Sequence, residues 1–362
     1  MKRYFLLFTL YFITVLLSIS CSQSEDSLSN KKSIEKPSNV ILMIGDGMST
    51  PQVYAAMLTS ENTTSFERFP ITGLVKTYSK SHKITDSAAG GTAIATGHKT
   101  NNGMIGMNSD SIPVPSILEI LSEKSMKTGV VATSYITHAT PASFVAKNIN
   151  RNNYEEIATD FAKSDKVDLL IGGGRKHFTE RKDGTNLIEQ MVSEGWNYYD
   201  TLTNIDVNDK IMILASDGHL PSYPSRGNFL PDASVIALEK LSKSENGFFL
   251  MVEGSQIDFA AHNNDSTYLV NEMLDFDNTI NKVLDFAEKD GNTLVIVTAD
   301  HETGGLSMID PNGRYTETHF KFSTGSHSPL LVPLFAFGPG SENFSGIMEN
   351  TDIVERILKL ME

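Results

Sequence analysis

The chain has 362 residues, with 44 acidic side chains against 30 basic ones and a single cysteine. One cysteine excludes an intrachain disulfide and a thiolate zinc site, since each needs at least two, so any metal must bind to histidine, carboxylate or hydroxyl ligands. A net charge of -14 argues against a specific nucleic-acid partner, because phosphate contacts require a basic face.

The first 36 residues predict export and membrane attachment. Two basic residues precede the apolar run 4–19, which is too short for a membrane span but typical of a secretory signal, so residues 1–20 are predicted to be a signal peptide. The small residues before Cys21 resemble a bacterial lipoprotein cleavage box, although Ser18 stands where leucine is usual. We therefore expect lipid-modified Cys21, a polar tether over 21–36, and a periplasmic or cell-surface protein anchored to a membrane. The alternative is an ordinary signal peptide with an incidental cysteine.

From residue 37 onward, strand patterns alternate with helix patterns. Several apolar runs are continuous, as in strands that are buried on both faces. The predicted strands are 39–44, 128–132, 168–171, 210–214, 247–252, 293–298 and 330–337. The predicted helices are 116–123, 155–162, 186–194, 233–242, 268–288 and 351–361. This alternation predicts a single α/β domain over 37–362, with a large, mostly parallel central sheet, helices on both faces and an irregular cover over 175–235.

Carboxylates and imidazoles follow three of the predicted strands. They are Asp46 after the first strand, Glu253 and Asp258-x-x-x-His262 after the fifth, and Asp300-His301 after the sixth. A lone aspartate here could simply cap a helix, but the carboxyl ends of parallel strands meet at one edge, and crowded carboxylates need a cation to offset their repulsion. Mixed aspartate and histidine ligands suit zinc, whereas carboxylates alone suit magnesium.

A candidate nucleophile, Ser87, lies in the run Asp86-Ser87-Ala88-Ala89-Gly90. The small residues after Ser87 are compatible with a helix whose N-terminus points at an anion. The composition alone leaves two alternatives open, a nucleophile and a helix N-cap.

At this point the motifs show a close resemblance to bacterial alkaline phosphatases. The matching blocks occur in the family's order and extend over almost the whole mature chain. They are IGDGM at 44–48, TDSAAGGTA at 85–93, TGHKTNNGMIG at 96–106, THATPA at 137–142, IGGGRKHF at 171–178, MVEGSQIDFAAH at 251–262, VTADHETGG at 297–305 and STGSHSPLLVPLFAFGPG at 323–340. The resemblance implies a three-layer sandwich, and an enzyme that hydrolyses phosphate monoesters to an alcohol and inorganic phosphate.

The resemblance also implies a phosphoserine intermediate, two zinc ions and one magnesium ion. The implied ligands are Asp258, His262 and His327 for the first zinc, Asp46, Asp300, His301 and the nucleophile Ser87 for the second, and Asp46, Thr140 and Glu253 for magnesium. Arg151 would clamp two phosphate oxygens, and Asp86 would orient that arginine. A planar guanidinium fork suits this task.

Two positions depart from the best-known pattern. His138 stands where some family members carry aspartate, and it resembles a water-mediated neighbour of the third metal. Phe259 stands where others have lysine, histidine or tryptophan. Together they leave open whether the third site prefers magnesium, cobalt or zinc. The chain is also short for the family, so a monomer and a homodimer both remain open.

The remaining histidines and several aromatic residues are interpreted as packing or surface groups. The histidines are His82, His98, His177, His219 and His319, and the aromatic residues, which could also line a substrate entrance, are Trp196, Tyr198, Tyr199 and Tyr223.

Three alternative functions share part of the pattern. A phosphodiesterase of the same superfamily typically has threonine as its nucleophile, and a sulfatase needs a Cys/Ser-x-Pro-x-Arg block that this sequence lacks. A surface lipoprotein that only binds phosphate or metal would be expected to have lost a ligand, yet every implied position is intact. The interpretation is therefore a monoesterase, with phosphate monoesters as substrates.

Overall fold

The computed structural model describes residues 36–313 and 319–362, and its main sheet is centred on the first strand, Asn39–Gly45. Every residue of this strand is buried, as is every residue of its two parallel neighbours, Phe248–Gly254 and Thr293–Thr298. Successive side chains of a strand point to opposite faces, so complete burial means that both faces are covered. The predicted signal peptide, Cys21 and residues 21–35 of the tether lie outside the described residues.

The strands are numbered β1 to β14 in chain order. They are Asn39–Gly45, Ile71–Lys76, Lys127–Tyr135, Leu169–Gly173, Trp196–Tyr199, Lys210–Leu214, Phe248–Gly254, Thr293–Thr298, Glu302–Thr303, Leu306–Ile309, His319–Phe322, His327–Ser328, Val332–Phe337 and Gly346–Glu349. The α-helices, α1 to α11, are Thr50–Thr59, Ser87–Thr96, Ile117–Glu123, Ala139–Ala142, Tyr154–Lys163, Lys176–Thr179, Leu187–Ser193, Phe229–Leu241, Gln256–His262, Ser266–Asp290 and Asp352–Leu360. Two short 3-10 helices cover Ser65–Arg68 and Ser341–Phe344.

Within the described residues, ten strands form one sheet in the order β14-β2-β13-β8-β1-β7-β3-β4-β6-β5. Strand β13 is antiparallel to both of its neighbours, and all other neighbouring pairs are parallel. Two small ribbons pair β9 with β12 and β10 with β11. The predicted large, mostly parallel sheet with helices is confirmed. Because β8, β1 and β7 are adjacent and parallel, their carboxyl ends lie side by side.

The long helix α10 packs against α8, β7 and β8. It begins after Asp265, whose side chain accepts a hydrogen bond from the Tyr268 amide, and it ends at Gly291, which has a left-handed φ of 74°. Arg226 binds to this helix with its side chain 2% exposed, and its guanidinium lies 2.5 Å from Glu272 and 2.6 Å from Asp275. This buried charge cluster attaches the loop before α8 to α10.

The prediction of an irregular cover over 175–235 is wrong in part. This segment contains β6, which matches the predicted strand 210–214, and also β5, which was not predicted, and the two strands form one edge of the main sheet. Strand β5 has only four residues, Trp196–Tyr199, and three of them are only partly buried, so it carries little of the apolar pattern of an inner strand. A search of the described residues finds no helix that is both long and apolar enough to cross a membrane.

Candidate active site

The ends of β1, β7 and β8 bring acidic side chains together at one edge of the sheet. Asp46 follows β1, Glu253 is the last residue but one of β7, and Asp300 follows β8, and all three side chains are fully buried. Helix α9 follows β7 directly and places Asp258 and His262 four residues apart, which puts both on one helix face, as predicted. Most of the predicted metal ligands thus come from three adjacent strands.

The first group contains Asp258, His262 and His327, whose ligand atoms lie within 4.8 Å of one another. The Nδ1 atom of His262 lies 2.8 Å from the carbonyl oxygen of Gly325, and that of His327 lies 2.8 Å from the carbonyl oxygen of Thr85. Each Nδ1 therefore carries a proton, and the two Nε2 atoms face each other at 3.2 Å. Two lone pairs cannot share that space unless a proton or a cation lies between them.

The second group contains Asp46, Asp300 and His301, all of them fully buried. The amides of Gly47 and His301 donate to Oδ1 of Asp300, while its Oδ2 has no hydrogen-bond partner. Neither carboxylate oxygen of Asp46 has a partner. The Nε2 atom of His301 lies 3.3 Å from the Asp300 carboxylate and 3.1 Å from Oγ of Ser87. Buried oxygens that lack partners fit a divalent cation, which satisfies them.

The third group is formed by Asp46, Glu253 and His138. One oxygen of Glu253 accepts hydrogen bonds from Ser134 and Ser255, and the other has no partner. The predicted ligand Thr140 has a fully buried hydroxyl that also has no partner. Both oxygens of Asp46 and one oxygen of Glu253 thus lack a hydrogen-bond partner, as expected of a site for an oxygen-binding cation.

Ser87 is the first residue of α2, and Asp86 is its N-cap. The Asp86 carboxylate accepts hydrogen bonds from the amides of Ala89 and Gly103, each at 3.0 Å. Ser87 is therefore not the cap, and the hydroxyl remains available beside His301. The helix can approach β8 closely because Gly90 has no side chain, since a Cβ there would lie 2.8 Å from the carbonyl oxygen of Asp300.

The Asp86 carboxylate also binds Arg151. Its Oδ2 accepts a hydrogen bond from Nη1 of Arg151 at 3.2 Å, and Nη2 of the same guanidinium lies 3.3 Å from Nε2 of His138. Because a guanidinium only donates, Nε2 of His138 is the acceptor, and its proton lies on Nδ1. This tautomer suits a neighbour of the third group and does not suit a direct metal ligand.

Burial and mutual repulsion raise the pKa values of Asp46, Glu253 and Asp300. Burial raises the pKa of Glu253 to about 8 and that of Asp300 to about 7, with Asp258 adding repulsion at Asp300. The pKa of Asp46 is raised well above its usual value, by burial first and then by the charges of Asp300, Asp258 and Glu253. Without a cation, the site therefore retains protons near neutral pH. Bound cations would replace them.

Two residues outside the three groups contact the site although the sequence motifs gave them no role in it. Thr303 donates to Asp258 and also lies 3.2 Å from Nδ1 of His301, although it stood in the VTADHETGG block without an assigned role. His219, interpreted as a surface or structural residue, stacks on Tyr135 at 3.6 Å and contacts the rings of both His138 and Phe259. His219 therefore packs beside the site. No sequence pattern indicates this, because its partners are distant in the chain and meet it only in the folded structure.

The other histidines and aromatic residues do not enter the three groups. His98 lies 2.9 Å from the carbonyl oxygen of Thr96, and His177 stacks on Tyr154. Trp196 is buried in β5, the partly buried Tyr198 and Tyr199 of the same strand pack against the core, and the Tyr223 amide donates to Glu272. These contacts agree with the packing interpretation.

Comparisons with known proteins agree on one family. The alkaline phosphatase family model matches residues 37–321. Alkaline phosphatase 4 of Bacillus subtilis (strain 168) is 34% identical, over 94% of this chain and 92% of that protein. The alkaline phosphatase of Escherichia coli (strain K12) is 30% identical, over 91% of this chain and 86% of that protein. The solved alkaline phosphatase of the Antarctic bacterium TAB5 is 45% identical, with a TM-score of 0.87 over 90% of this chain and 98% of that one. A TAB5 variant with a histidine replaced by aspartate has magnesium in its M3 site.

Proposed function

The chain belongs to the alkaline phosphatase family and is a metal-binding hydrolase of phosphate monoesters, and we propose that it acts through Ser87 with two zinc ions and one magnesium ion. The observation that carries this proposal is the position of the Ser87 hydroxyl, 3.1 Å from Nε2 of His301 within the second ligand group. Among the described residues, the one side chain that contacts the Ser87 hydroxyl as a possible base is His301, which is itself a candidate metal ligand. Activation by a metal is therefore the role that the geometry supports best.

The residues fit two kinds of cation. Zinc suits the first two groups, which mix carboxylates with imidazoles, and magnesium suits the oxygen atoms of Asp46, Thr140 and Glu253. Bound divalent cations would supply Lewis acidity, lowering the pKa of the Ser87 hydroxyl and stabilising charge on the phosphoryl oxygens. We place His138 beside the magnesium site through a water molecule, because its Nδ1 carries a proton. The magnesium in the M3 site of the TAB5 variant supports a third divalent site here too.

The reaction then proceeds in two displacements at phosphorus. The oxygen of Ser87 loses its proton and attacks phosphorus, the bond from phosphorus to the ester oxygen breaks, and the ester oxygen takes up a proton and leaves as the alcohol, which gives phosphoserine. Water then attacks phosphorus, the bond from phosphorus to the Ser87 oxygen breaks, one proton of the water goes to that oxygen, and inorganic phosphate is released. Arg151, held by Asp86, binds two phosphoryl oxygens in both steps, as its planar fork allows.

This assignment favours monoesters over diesters. The buried carboxylates at the site need cations to offset their charge. Together with Arg151, these cations match the two negative charges of a phosphate monoester, whereas a diester carries only one. We also propose that the chain is exported and anchored through lipid-modified Cys21, on the evidence of the signal-like run 4–19.

One experiment tests the function. Hydrolysis of an aryl phosphate should greatly exceed hydrolysis of the bis-aryl diester, should vanish with a chelator, and should return when zinc and magnesium are added back. Ser87→Ala should lose most turnover while still binding phosphate, and Ser193→Ala, which changes an exposed helix serine, is the matched control. Diester preference, indifference to chelation or full activity of Ser87→Ala would overturn the proposal.

A further inference from the structure

Thr303 lies between the first two ligand groups. It is the second residue of β9, two positions after His301, and its side chain is fully buried. Its Oγ1 lies 2.5 Å from Oδ1 of Asp258 and 3.2 Å from Nδ1 of His301. One hydroxyl thus touches an aspartate of the first group and a histidine of the second.

The chemistry of these three groups fixes the direction of both hydrogen bonds. A carboxylate accepts only, so the single hydroxyl proton of Thr303 goes to Asp258. The lone pairs that remain on Oγ1 can then accept a proton from Nδ1 of His301. With its proton on Nδ1, His301 keeps an unprotonated Nε2, the atom that faces Ser87 and the carboxylates of Asp46 and Asp300.

His301 depends on a side chain in a way that the other two imidazoles do not. The Nδ1 atoms of His262 and His327 contact backbone carbonyl oxygens, which no substitution removes. In the described part of the chain, the partner of Nδ1 in His301 is the Thr303 hydroxyl, which one substitution can delete. Among the three imidazoles of the first two ligand groups, His301 is therefore the one whose Nδ1 contact a single side-chain substitution can remove.

The position of Thr303 is itself held from several sides. Its amide donates to the carbonyl oxygen of Gly47 at 3.1 Å, and its carbonyl oxygen accepts from Gln52 at 3.0 Å. It also pairs with His327 across the β9–β12 ribbon. Gly47 has a φ of +73°, and a Cβ there would lie 2.9 Å from Oγ1 of Thr303, so the tight approach requires glycine.

We propose that Thr303 is a positioning residue that couples the two zinc sites, orienting His301 in the second while it holds Asp258 in the first. This inference rests on the proposed function, since it concerns the same metals. Partners of this kind orient metal-binding imidazoles, and their loss typically costs about 10- to 100-fold in metal affinity. Because one hydroxyl contacts both groups, its loss weakens zinc binding at both sites.

The test measures zinc affinity as well as activity. Thr303→Val keeps the shape of the side chain and deletes the hydroxyl, and Thr303→Ser retains the hydroxyl. Thr279→Val deletes a buried hydroxyl in α10 that donates to the carbonyl oxygen of Asp275. Metal-free protein is titrated with zinc in competition with a chromophoric chelator, and circular dichroism checks that each variant is folded. We expect Thr303→Val to bind both zinc ions about 10- to 100-fold more weakly, with Thr303→Ser and Thr279→Val close to the unchanged chain.

The outcomes separate this inference from the proposed function. If the unchanged chain binds no zinc or hydrolyses no monoester, the proposed function fails. If the unchanged chain does both and Thr303→Val binds zinc equally well, the positioning role fails. Weakening of only one zinc ion would overturn the coupling. If Thr303→Val does not fold, an affinity of Thr303→Ser matching that of the unchanged chain supports the role of the hydroxyl, and a loss overturns it.

Discussion

Metal binding to this site should release protons, and the number released should depend steeply on pH. The pKa values of four candidate ligands are raised, to about 8 for Glu253, about 7 for Asp300 and about 9 for His262, and well above its usual value for Asp46. Burial raises the three carboxyl values, whereas the hydrogen bond to Asp258 raises that of His262. A metal ligand must lose its proton when the metal binds, so each of these groups contributes to the release.

The structure sets the magnitude. At pH 7 Glu253 and His262 are largely protonated and Asp300 is about half protonated, so these three groups hold roughly two protons, and at pH 8.5 they hold only about one. Saturation with zinc and magnesium should therefore release at least two protons at pH 7. Asp46, whose pKa is also raised, adds to that number.

Isothermal titration calorimetry measures this release directly. The metal-free protein is titrated at each pH in two buffers with different ionisation enthalpies, and the difference in heat gives the proton count. Glu253→Gln is the control, because it removes a carboxyl group that is largely protonated at pH 7 and should lower the count at that pH by about one. Release of less than one proton at pH 7, or the same count at both pH values, would refute the argument from burial.

Three further predictions follow from other contacts. Asp86→Ala removes the partner of Arg151 and should lower kcat/KM by about 10- to 100-fold, which is the contribution of a charge-assisted hydrogen bond. Asp86→Asn should lose less. Activity equal to that of the unchanged chain in steady-state assays would contradict this role. Arg226→Met leaves buried carboxylates such as Asp275 unpaired and should cost about 3–5 kcal/mol in urea unfolding, with kcat/KM of the folded protein retained. The pKa of Glu253 is raised from 4.5 to about 8, so its stabilising effect is complete below pH 4.5 and is lost as pH rises through 8. The metal-free melting temperature should fall between pH 6 and pH 9, and a decrease that persists at saturating metal would exclude this cause.

The sequence predicts the parts of the site that belong to regular structure. Asp46, Glu253 and Asp300 follow continuous apolar runs, so the parallel-sheet pattern alone places them at one edge. His327 and Thr140 lie in a two-residue strand and a four-residue helix, elements too short to carry a periodicity. Only the family resemblance indicates that His327 and Thr140 are metal ligands, and both assignments are proposals.

The features that were missed depend on contacts between distant residues. Thr303 has no pattern of its own, and its importance lies in two side chains that the fold brings against it. The beginning of β13 was also mispredicted from the sequence pattern. The predicted strand began at Leu330, but Leu330 and Leu331 are 43% and 37% exposed, and the ladder begins at Val332. Hydrophobicity predicted a buried run where the chain is still outside the sheet.

The central position of β1 also has a consequence for how the chain folds. Val40 pairs with Phe249 and with Leu294, so the earliest of the described strands has both neighbours more than 200 residues further along the chain. Such long loops are slow to close, and until they do both edges of β1 are open to wrong pairing. Asp46, at the end of β1, can meet Glu253 and Asp300 only after that closure. Acquisition of metal should therefore be a late event in refolding, and it reports completion of the sheet.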